Sequence, residues 1–151
     1  MYIDSSIAQS GKKARLLTPQ MPKVSAKCLK FWYHMYGSTV GTLAVYKKTG
    51  SLVGIRIWRR SGDQGDEWLV AQVSVWSPVK PFWLSFEGQV AGSTGDIAID
   101  DVEIFAGKCP TPGEYRLGTA LFKFLGSKPN MGFCVRLFPV QLANSQNLTH
   151  K

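Results

Sequence analysis

Three cysteines are the residues of this chain whose chemistry constrains its structure most. Cys28 opens one segment of alternating residues, and Cys109 follows another about 80 residues later. This spacing predicts two core strands of a sandwich joined by a disulfide, which we expect to staple two facing sheets across their interior. Such a bridge would stabilise the fold by on the order of 4 kcal/mol in the chain-entropy model, and it places the chain outside the cell. Cys134 is left without a predicted partner, and no CxxC or CxxH spacing indicates zinc.

The acidic segment 96–101 is the next group of residues that could form a chemical site. Strict alternation would place Ile97, Ile99 and Asp101 on an inward face and Asp96 on the opposite one. An inward carboxylate must be paired, hydrogen-bonded or bound to a metal, because an isolated buried charge is costly. We expect a structural hydrogen-bonding role for Asp101. The alternative is a site with Asp96 for a hard cation such as calcium, which prefers several oxygen ligands.

A basic and aromatic cluster, Arg56, Trp58, Arg59 and Arg60, is the candidate binding surface. The chain carries 18 Lys and Arg against 10 Asp and Glu, a net charge of +8, and a field of this sign can attract nucleic acid, glycosaminoglycans or acidic partners. Trp and Arg dominate binding hot spots, so Trp58 is interpreted either as an exposed anchor or as a half-buried ring on which arginines stack. The other aromatic residues are predicted to be mostly core, Trp32, Trp68 and Trp76 among them.

Catalytic patterns are weak in this sequence. The two histidines are His34, which lies within an aromatic strand, and His150 near the terminus. His34 is best interpreted as a hydrogen-bonded structural residue. Glu87 and Asp101 could be paired for hydrolysis, but nothing in the sequence positions them together. We therefore predict that the chain is not an enzyme.

These residues lie in segments that have the pattern of short strands. A length of 151 residues predicts one domain. Alternating segments bounded by Gly, Pro and polar turns predict strands at 15–18, 28–36, 42–46, 52–60, 68–75, 82–90 and 96–105. Both faces of 28–36 are apolar enough to predict a central strand. Even spacing without helical periodicity predicts an all-β, antiparallel β-sandwich over residues 1–110.

Residues 111–151 are predicted to form an irregular and partly disordered carboxy-terminal tail. Gly and Pro interrupt two apolar clusters there, and the final residues are polar. Asn147 begins an Asn-Leu-Thr sequon, a candidate glycosylation site at the extreme terminus. The first residues lack the features of a signal peptide, and no apolar stretch reaches the roughly 20 residues of a membrane helix. We therefore expect the export signal to lie upstream of Met1.

Five motifs occur in order along residues 1–110, and together they resemble a MAM domain. The family occurs in meprins, neuropilins and receptor-type tyrosine phosphatases. The motifs are Arg15-Leu-Leu-Thr-Pro19, Cys28-Leu-x-Phe-x-Tyr-His-Met-x-Gly37, Gly41-x-Leu-x-Val45, Phe82-x-Leu-x-Phe86-Glu-Gly88 and Gly95-Asp-Ile-Ala-Ile-Asp-Asp-Val102, closing at Gly107-x-Cys109. The resemblance implies a jelly-roll-like sandwich in which Cys28 and Cys109 form the family's second disulfide. The family's opening segment, with its first cysteine pair and first strand, has no counterpart here.

The resemblance also implies an extracellular module, or the ectodomain of a membrane protein, that serves cell adhesion or assembly of a larger protein. Partners would be proteins, bound homophilically or heterophilically, and a membrane would be reached only through a parent chain. It further implies a calcium or sodium ion in some members. The alternative function is a basic sandwich that binds glycans or glycosaminoglycans; we expect no nucleic-acid partner.

Overall fold

The computed structural model describes residues 2–3, 10–50 and 54–110, and this part of the chain is built from strands without a helix. The predicted all-β class is confirmed. The strands are β1 (Tyr2–Ile3), β2 (Lys13–Leu17), β3 (Val24–Tyr36), β4 (Thr42–Lys48), β5 (Ile55–Ser61), β6 (Leu69–Ser77), β7 (Trp83–Gln89) and β8 (Asp96–Ala106). No helix among the described residues is long and apolar enough to cross a membrane. The tail, Cys134, Asn147 and His150 lie outside the described residues.

The strands form two antiparallel four-stranded sheets with a nested pattern of pairing. Sheet A has the order β1-β8-β3-β6, and sheet B has the order β2-β7-β4-β5. The first strand therefore pairs with the last, the second with the seventh, the third with the sixth and the fourth with the fifth. This nesting is the double Greek key of a jelly roll, so the predicted architecture is confirmed.

The core lies between the sheets and is organised around β3, which is central as predicted. Its inward residues Leu29, Phe31, Tyr33 and Met35 are all buried. They alternate with the outward residues of the same strand, so one strand serves both the interior and the outer face of sheet A. From sheet B the inward side chains of β4 and β7 complete the core, namely Leu43, Val45, Leu84 and Phe86.

Gly41 lies against the backbone at the end of β7. A Cβ atom added to Gly41, just before β4, would lie 1.8 Å from the carbonyl oxygen of Gln89 at the end of β7. The obstacle is backbone, which has little freedom to move aside. Position 41 therefore requires glycine, because any side chain there would clash with the backbone of Gln89.

The Cys28–Cys109 disulfide is present, but it does not cross between the sheets. Cys28 lies on β3 opposite Phe105 of β8 and Ser74 of β6, all within sheet A. Cys109 follows β8 directly. The prediction of a staple across the sandwich interior was wrong, because Cys28 alternates with the inward Leu29 and faces outward. The bridge instead joins neighbouring elements on the outer side of one sheet.

Candidate interaction surfaces on the two sheets

The disulfide fixes the chain beyond β8 against the middle of sheet A. The backbone N–H of Cys109 donates a hydrogen bond to Ser74 Oγ at 2.9 Å. Cys28 is only 3% exposed although it faces outward, since the returning segment covers it. Three strands are thereby held together at one end of the sheet, which gives the outer surface of sheet A a rigid base.

Asp101 points out of the sandwich, contrary to the prediction from alternation. A β-bulge interrupts the β3–β8 pairing, because Asp101 and Val102 lie opposite the single residue Phe31. Asp101 takes the left-handed conformation, with φ of 46°, and is exposed. The extra residue turns Val102 and Ile104 towards the core, where they pack. The bulge therefore places the apolar residues inside and the carboxylate outside.

The predicted cation ligands do not gather a metal site in the described part of the chain. Asp96 lies at the start of β8 opposite Tyr36, on the outer side of sheet A. No three His, Cys, Asp or Glu side chains of the described residues lie close enough together to hold a metal ion. These residues do not supply the carboxylate set that calcium prefers, and the calcium or sodium ion stays a prediction.

The basic cluster of β5 is divided between two sides of sheet B. A second bulge lies in β5, where Val45 pairs with Trp58 and Tyr46 pairs with Arg56. Arg56 and Arg59 lie outward; the Nη2 group of Arg59 lies 3.4 Å from the outward hydroxyl of Thr42. Trp58 and Arg60 lie on the inner side. Residues that are adjacent in sequence therefore do not form one surface.

Trp58 is the half-buried ring of the two predicted alternatives and not the exposed anchor. Its ring meets Phe31 edge-on with centroids 5.0 Å apart and Tyr33 at 5.1 Å. The Arg60 guanidinium lies 5.4 Å from the ring centroid on its open side, in a cation–π contact. Ile55, at the start of β5 opposite Lys47, is 65% exposed.

The residues considered for catalysis are not brought together. Glu87 lies on the outer side of sheet B, whereas Asp101 lies on sheet A. His34 Nε2 lies 3.1 Å from Asp66 Oδ1, and its ring is 5.6 Å from that of Trp68. This hydrogen-bonded aromatic setting agrees with the structural role expected for His34.

Sheet A presents a patch of aromatic and apolar side chains on its outer surface, which we call the aromatic face. Its members are Tyr2, Trp32, Tyr36, Trp68 and Val70, arranged around His34. Tyr2 is 61% exposed, Tyr36 is 48% and Val70 is 45%, and the two Trp rings are half-buried. Register places them side by side, since Val70 pairs with Trp32 and Ala98 lies between Tyr2 and His34. The prediction that Trp32 and Trp68 belong to the core was therefore wrong.

Trp76 is a further correction to the predicted core. It lies at the opposite end of β6 and is 65% exposed. Alternation along β6 had separated the even-numbered residues from the inward Ala71, Val73 and Val75. Alternation along β6 therefore predicts Trp76 and Trp68 on the outer face, whereas their hydrophobicity alone predicts the core.

Sheet B presents a basic outer surface, which we call the basic face. Its cations are Lys13 and Arg15 on β2, Lys48 on β4, and Arg56 and Arg59 on β5; each is placed there by its register partner. Within the four strands of sheet B, Glu87 is the acidic residue among these cations. The basic stretches at 12–15, 47–48 and 56–60 were visible in the sequence, but their meeting on one sheet was not.

Glu87 is a buried carboxylate held by two cations. Lys13 Nζ lies 3.0 Å from Oε1, and Arg15 Nε lies 2.6 Å from Oε2. Burial raises the pKa of Glu87, but the hydrogen bonds and positive charges of Lys13 and Arg15 outweigh it, so the pKa is lowered from 4.5. Glu87 therefore stays ionised at neutral pH and fixes β2 to β7.

We expect Glu87→Gln to lower the free energy of unfolding at pH 7 by about 1 kcal/mol, because it removes the charge from both contacts. A lowered pKa in the folded state stabilises the protein above the unfolded value, and this contribution is lost as the pH falls through the folded value. Urea unfolding of the parent should therefore show a steeper loss of stability below about pH 4.5 than that of E87Q. Glu103→Gln is the control, since its Lys30 contact is long, at 3.5 Å, and exposed. Parallel pH profiles for the parent and E87Q would contradict the assignment.

Comparison with known proteins gives one family for most of the chain. The family model "MAM domain, meprin/A5/mu" matches residues 1–110. MAM domain-containing glycosylphosphatidylinositol anchor protein 2 of Mus musculus is 42% identical over 122 residues, which cover 72% of this chain and 13% of that protein. Neuropilin-1 of Homo sapiens is 39% identical over 109 residues, with 69% and 12% covered. The chain therefore spans about an eighth of the length of these curated relatives.

A solved structure described as "CBM4 structure and function" aligns with a TM-score of 0.46 at 14% identity, covering 68% of this chain and 79% of that chain. The match to the family model extends over well more than half of the chain, and it agrees with the motifs read from the sequence. This chain therefore belongs to the MAM domain family and is an extracellular module of the adhesion type.

Proposed function

We propose that this chain is a non-enzymatic recognition module that binds a protein partner through the aromatic face of sheet A. The observation that carries this proposal is the contiguous patch in which Tyr36 and Val70 are 48% and 45% exposed beside the Trp32 and Trp68 rings. Aromatic residues are enriched at protein interfaces. An exposed patch of this kind, rimmed by polar residues, is typical of an interaction site.

The sheet beneath the patch supports the proposal because it limits the entropy lost on binding. Trp32 lies on central strand β3, which is paired on both sides, and the disulfide closes one end of the sheet. His34 packs between Trp68 and Tyr36, at 5.6 and 6.3 Å between ring centroids. Side chains that are held in place before binding lose little freedom in a complex, so more of the contact energy appears as affinity.

If this module is part of a protein attached to a cell surface, multivalent binding would strengthen a modest affinity for the partner. Two of the curated relatives are named as glycosylphosphatidylinositol anchor proteins, and each is much longer than this chain. A module carried at a cell surface in many copies binds multivalently, and its avidity exceeds the affinity of each contact. The proposed partner is accordingly a protein presented on, or secreted near, another surface.

The test is a binding screen of a bivalent fusion of the full chain against an array of extracellular proteins that includes the chain itself. Homophilic and heterophilic partners are thus scored together. The variants Tyr36→Arg and Val70→Arg place a charge on the aromatic face at exposed positions. We expect each to weaken binding to the partner about tenfold or more, which is typical of a hot-spot residue.

Val79→Arg is the matched control, because Val79 is 77% exposed and lies outside the aromatic face. It should bind as the parent does. Unchanged thermal unfolding of all three variants would show that the fold is intact. If Y36R and V70R keep full affinity for a partner that the parent binds, the aromatic face is not the binding site.

A further inference from the structure

We propose that the basic face of sheet B is a second, separate binding site that takes a sulfated glycan. This site lies on the other sheet from the aromatic face and does not depend on the protein-recognition function proposed above. Its ligand class follows from the side chains present, which are five cations around the outward residues of β4 and β7.

The cations form two rims along the edges of sheet B. Lys13 and Arg15 are on β2 and Arg56 and Arg59 are on β5, the two edge strands of the order β2-β7-β4-β5. Three strand spacings separate these edges, so the rims are about 14 Å apart. All four side chains are exposed. The rims are thus available to anions that lie across the sheet.

The floor between the rims is formed by the outward residues of the central strands, which are small at Ala44 and Ser85 and aromatic at Tyr46 and Trp83. Ala44 pairs with Arg59, and Ser85 pairs with Leu17; both are buried beneath their longer neighbours. A linear chain lying on this floor would meet cations on both sides. Sulfate and carboxylate groups projecting from both sides of a glycan chain match this arrangement of charges.

The single carboxylate on this face does not cancel its charge. Glu87 is 8% exposed, and its two oxygens are taken up by Lys13 and Arg15. Five cations and one anion leave a net charge of +4 on the face. Lys13 and Arg15 are held in place by Glu87 but are weakened as ligands for an incoming anion, whereas Arg56 and Arg59 lie on the opposite rim from that carboxylate.

The extracellular setting selects the glycan among polyanions. The chain is an extracellular module of its family, and sulfated glycans are the abundant polyanions of the cell surface. Association of this kind releases counterions, so its affinity falls steeply with salt. Binding through a few arginines to sulfate is also strengthened by the planar, multiple donors of the guanidinium group.

Heparin binding by the full chain tests the site. The double variant R56Q/R59Q removes two charges from one rim, and R60Q/K108Q removes two from elsewhere. Of the two control substitutions, R60Q is the more informative, because Arg60 neighbours Arg59 in sequence but lies on the inner side over Trp58. If each rim arginine releases one counterion, the slope of log K against log salt concentration should be smaller in magnitude by about two for R56Q/R59Q. The affinity of this variant for heparin at 0.15 M salt should be lower by at least about tenfold.

The variant E87Q gives an independent result of opposite sign. Loss of the carboxylate frees Lys13 and Arg15, so E87Q should bind heparin more tightly while being less stable. Y36R should leave heparin affinity unreduced, which separates this site from the protein-binding site. Thermal unfolding of R56Q/R59Q close to that of the parent would show that its weaker binding does not reflect misfolding.

Three outcomes would overturn the proposal. Equal losses in R56Q/R59Q and R60Q/K108Q would show a response to overall charge without a defined site. Competition by a short DNA duplex as strong as that by heparin would show a general attraction to polyanions. Weaker heparin binding by E87Q in a folded protein would show that the basic face does not carry the interaction.

Discussion

Removing the Cys28–Cys109 disulfide is expected to lower the free energy of unfolding by about 4.5 kcal/mol. The bridge spans 81 residues, and closing so long a loop greatly restricts the unfolded chain in the chain-entropy model. Small domains have a total stability of about 5–15 kcal/mol, so this loss would leave little reserve. Urea unfolding of C28A/C109A, followed by Trp fluorescence, measures it. Alanine is chosen because it leaves no polar group at the buried position of Cys28.

The comparison requires a background without thiol exchange. The parent and the double variant should both carry Cys134→Ser, so that no free cysteine pairs with Cys28 or Cys109 during purification. Reduction of the C134S protein with dithiothreitol should reproduce the loss seen in the double alanine variant. A double variant within about 1 kcal/mol of its parent would contradict the assigned role of the bridge.

The second large effect is expected at Phe31, whose replacement by alanine should cost about 3–5 kcal/mol. Phe31 lies on β3 with no exposed surface. Its ring meets Phe86 of the opposite sheet edge-on at 5.2 Å between centroids, and Trp58 at 5.0 Å. Truncation leaves a cavity between the sheets and removes both aromatic contacts, which add to the burial term. Chemical denaturation of F31A measures the cost.

Tyr36→Ala is the matched control, because the same strand carries it on the outer face, where the ring is 48% exposed. We expect that variant to lose less than about 1 kcal/mol, as is usual for surface positions. A cost at Phe31 no larger than the cost at Tyr36 would mean that the two sheets do not pack around the Phe31 ring.

The strand pattern and the disulfide pairing were predictable from residue order because both depend on local signals. Along β3, odd-numbered residues from Leu29 to Met35 face the core and the residues between them face outward, as alternation requires. Cys28 and Cys109 were assigned by the strands that they flank. Short motifs also predicted the family, and the match over residues 1–110 confirms it.

Two bulges account for the local errors. One extra residue in β8 turns Asp101 outward and Val102 inward, and one in β5 turns Trp58 inward while Arg56 faces outward. A shift of one residue reverses every later side chain on a strand. The position of the bulge in β8 depends on whether Val102 and Ile104 can reach the core, and the partner strand and the opposite sheet determine this.

The strand segments, the cysteine pairing and the family all follow from residue order. The composition of the two outer surfaces depends on the folded chain, because pairing between distant strands sets which outward residues become neighbours. Arg15 and Arg59 come onto one face of sheet B through Glu87 of β7 and Ala44 of β4, and Tyr2 reaches the aromatic face through β8. Neither approach is encoded locally, since β1 and β2 each pair with a strand more than 60 residues away.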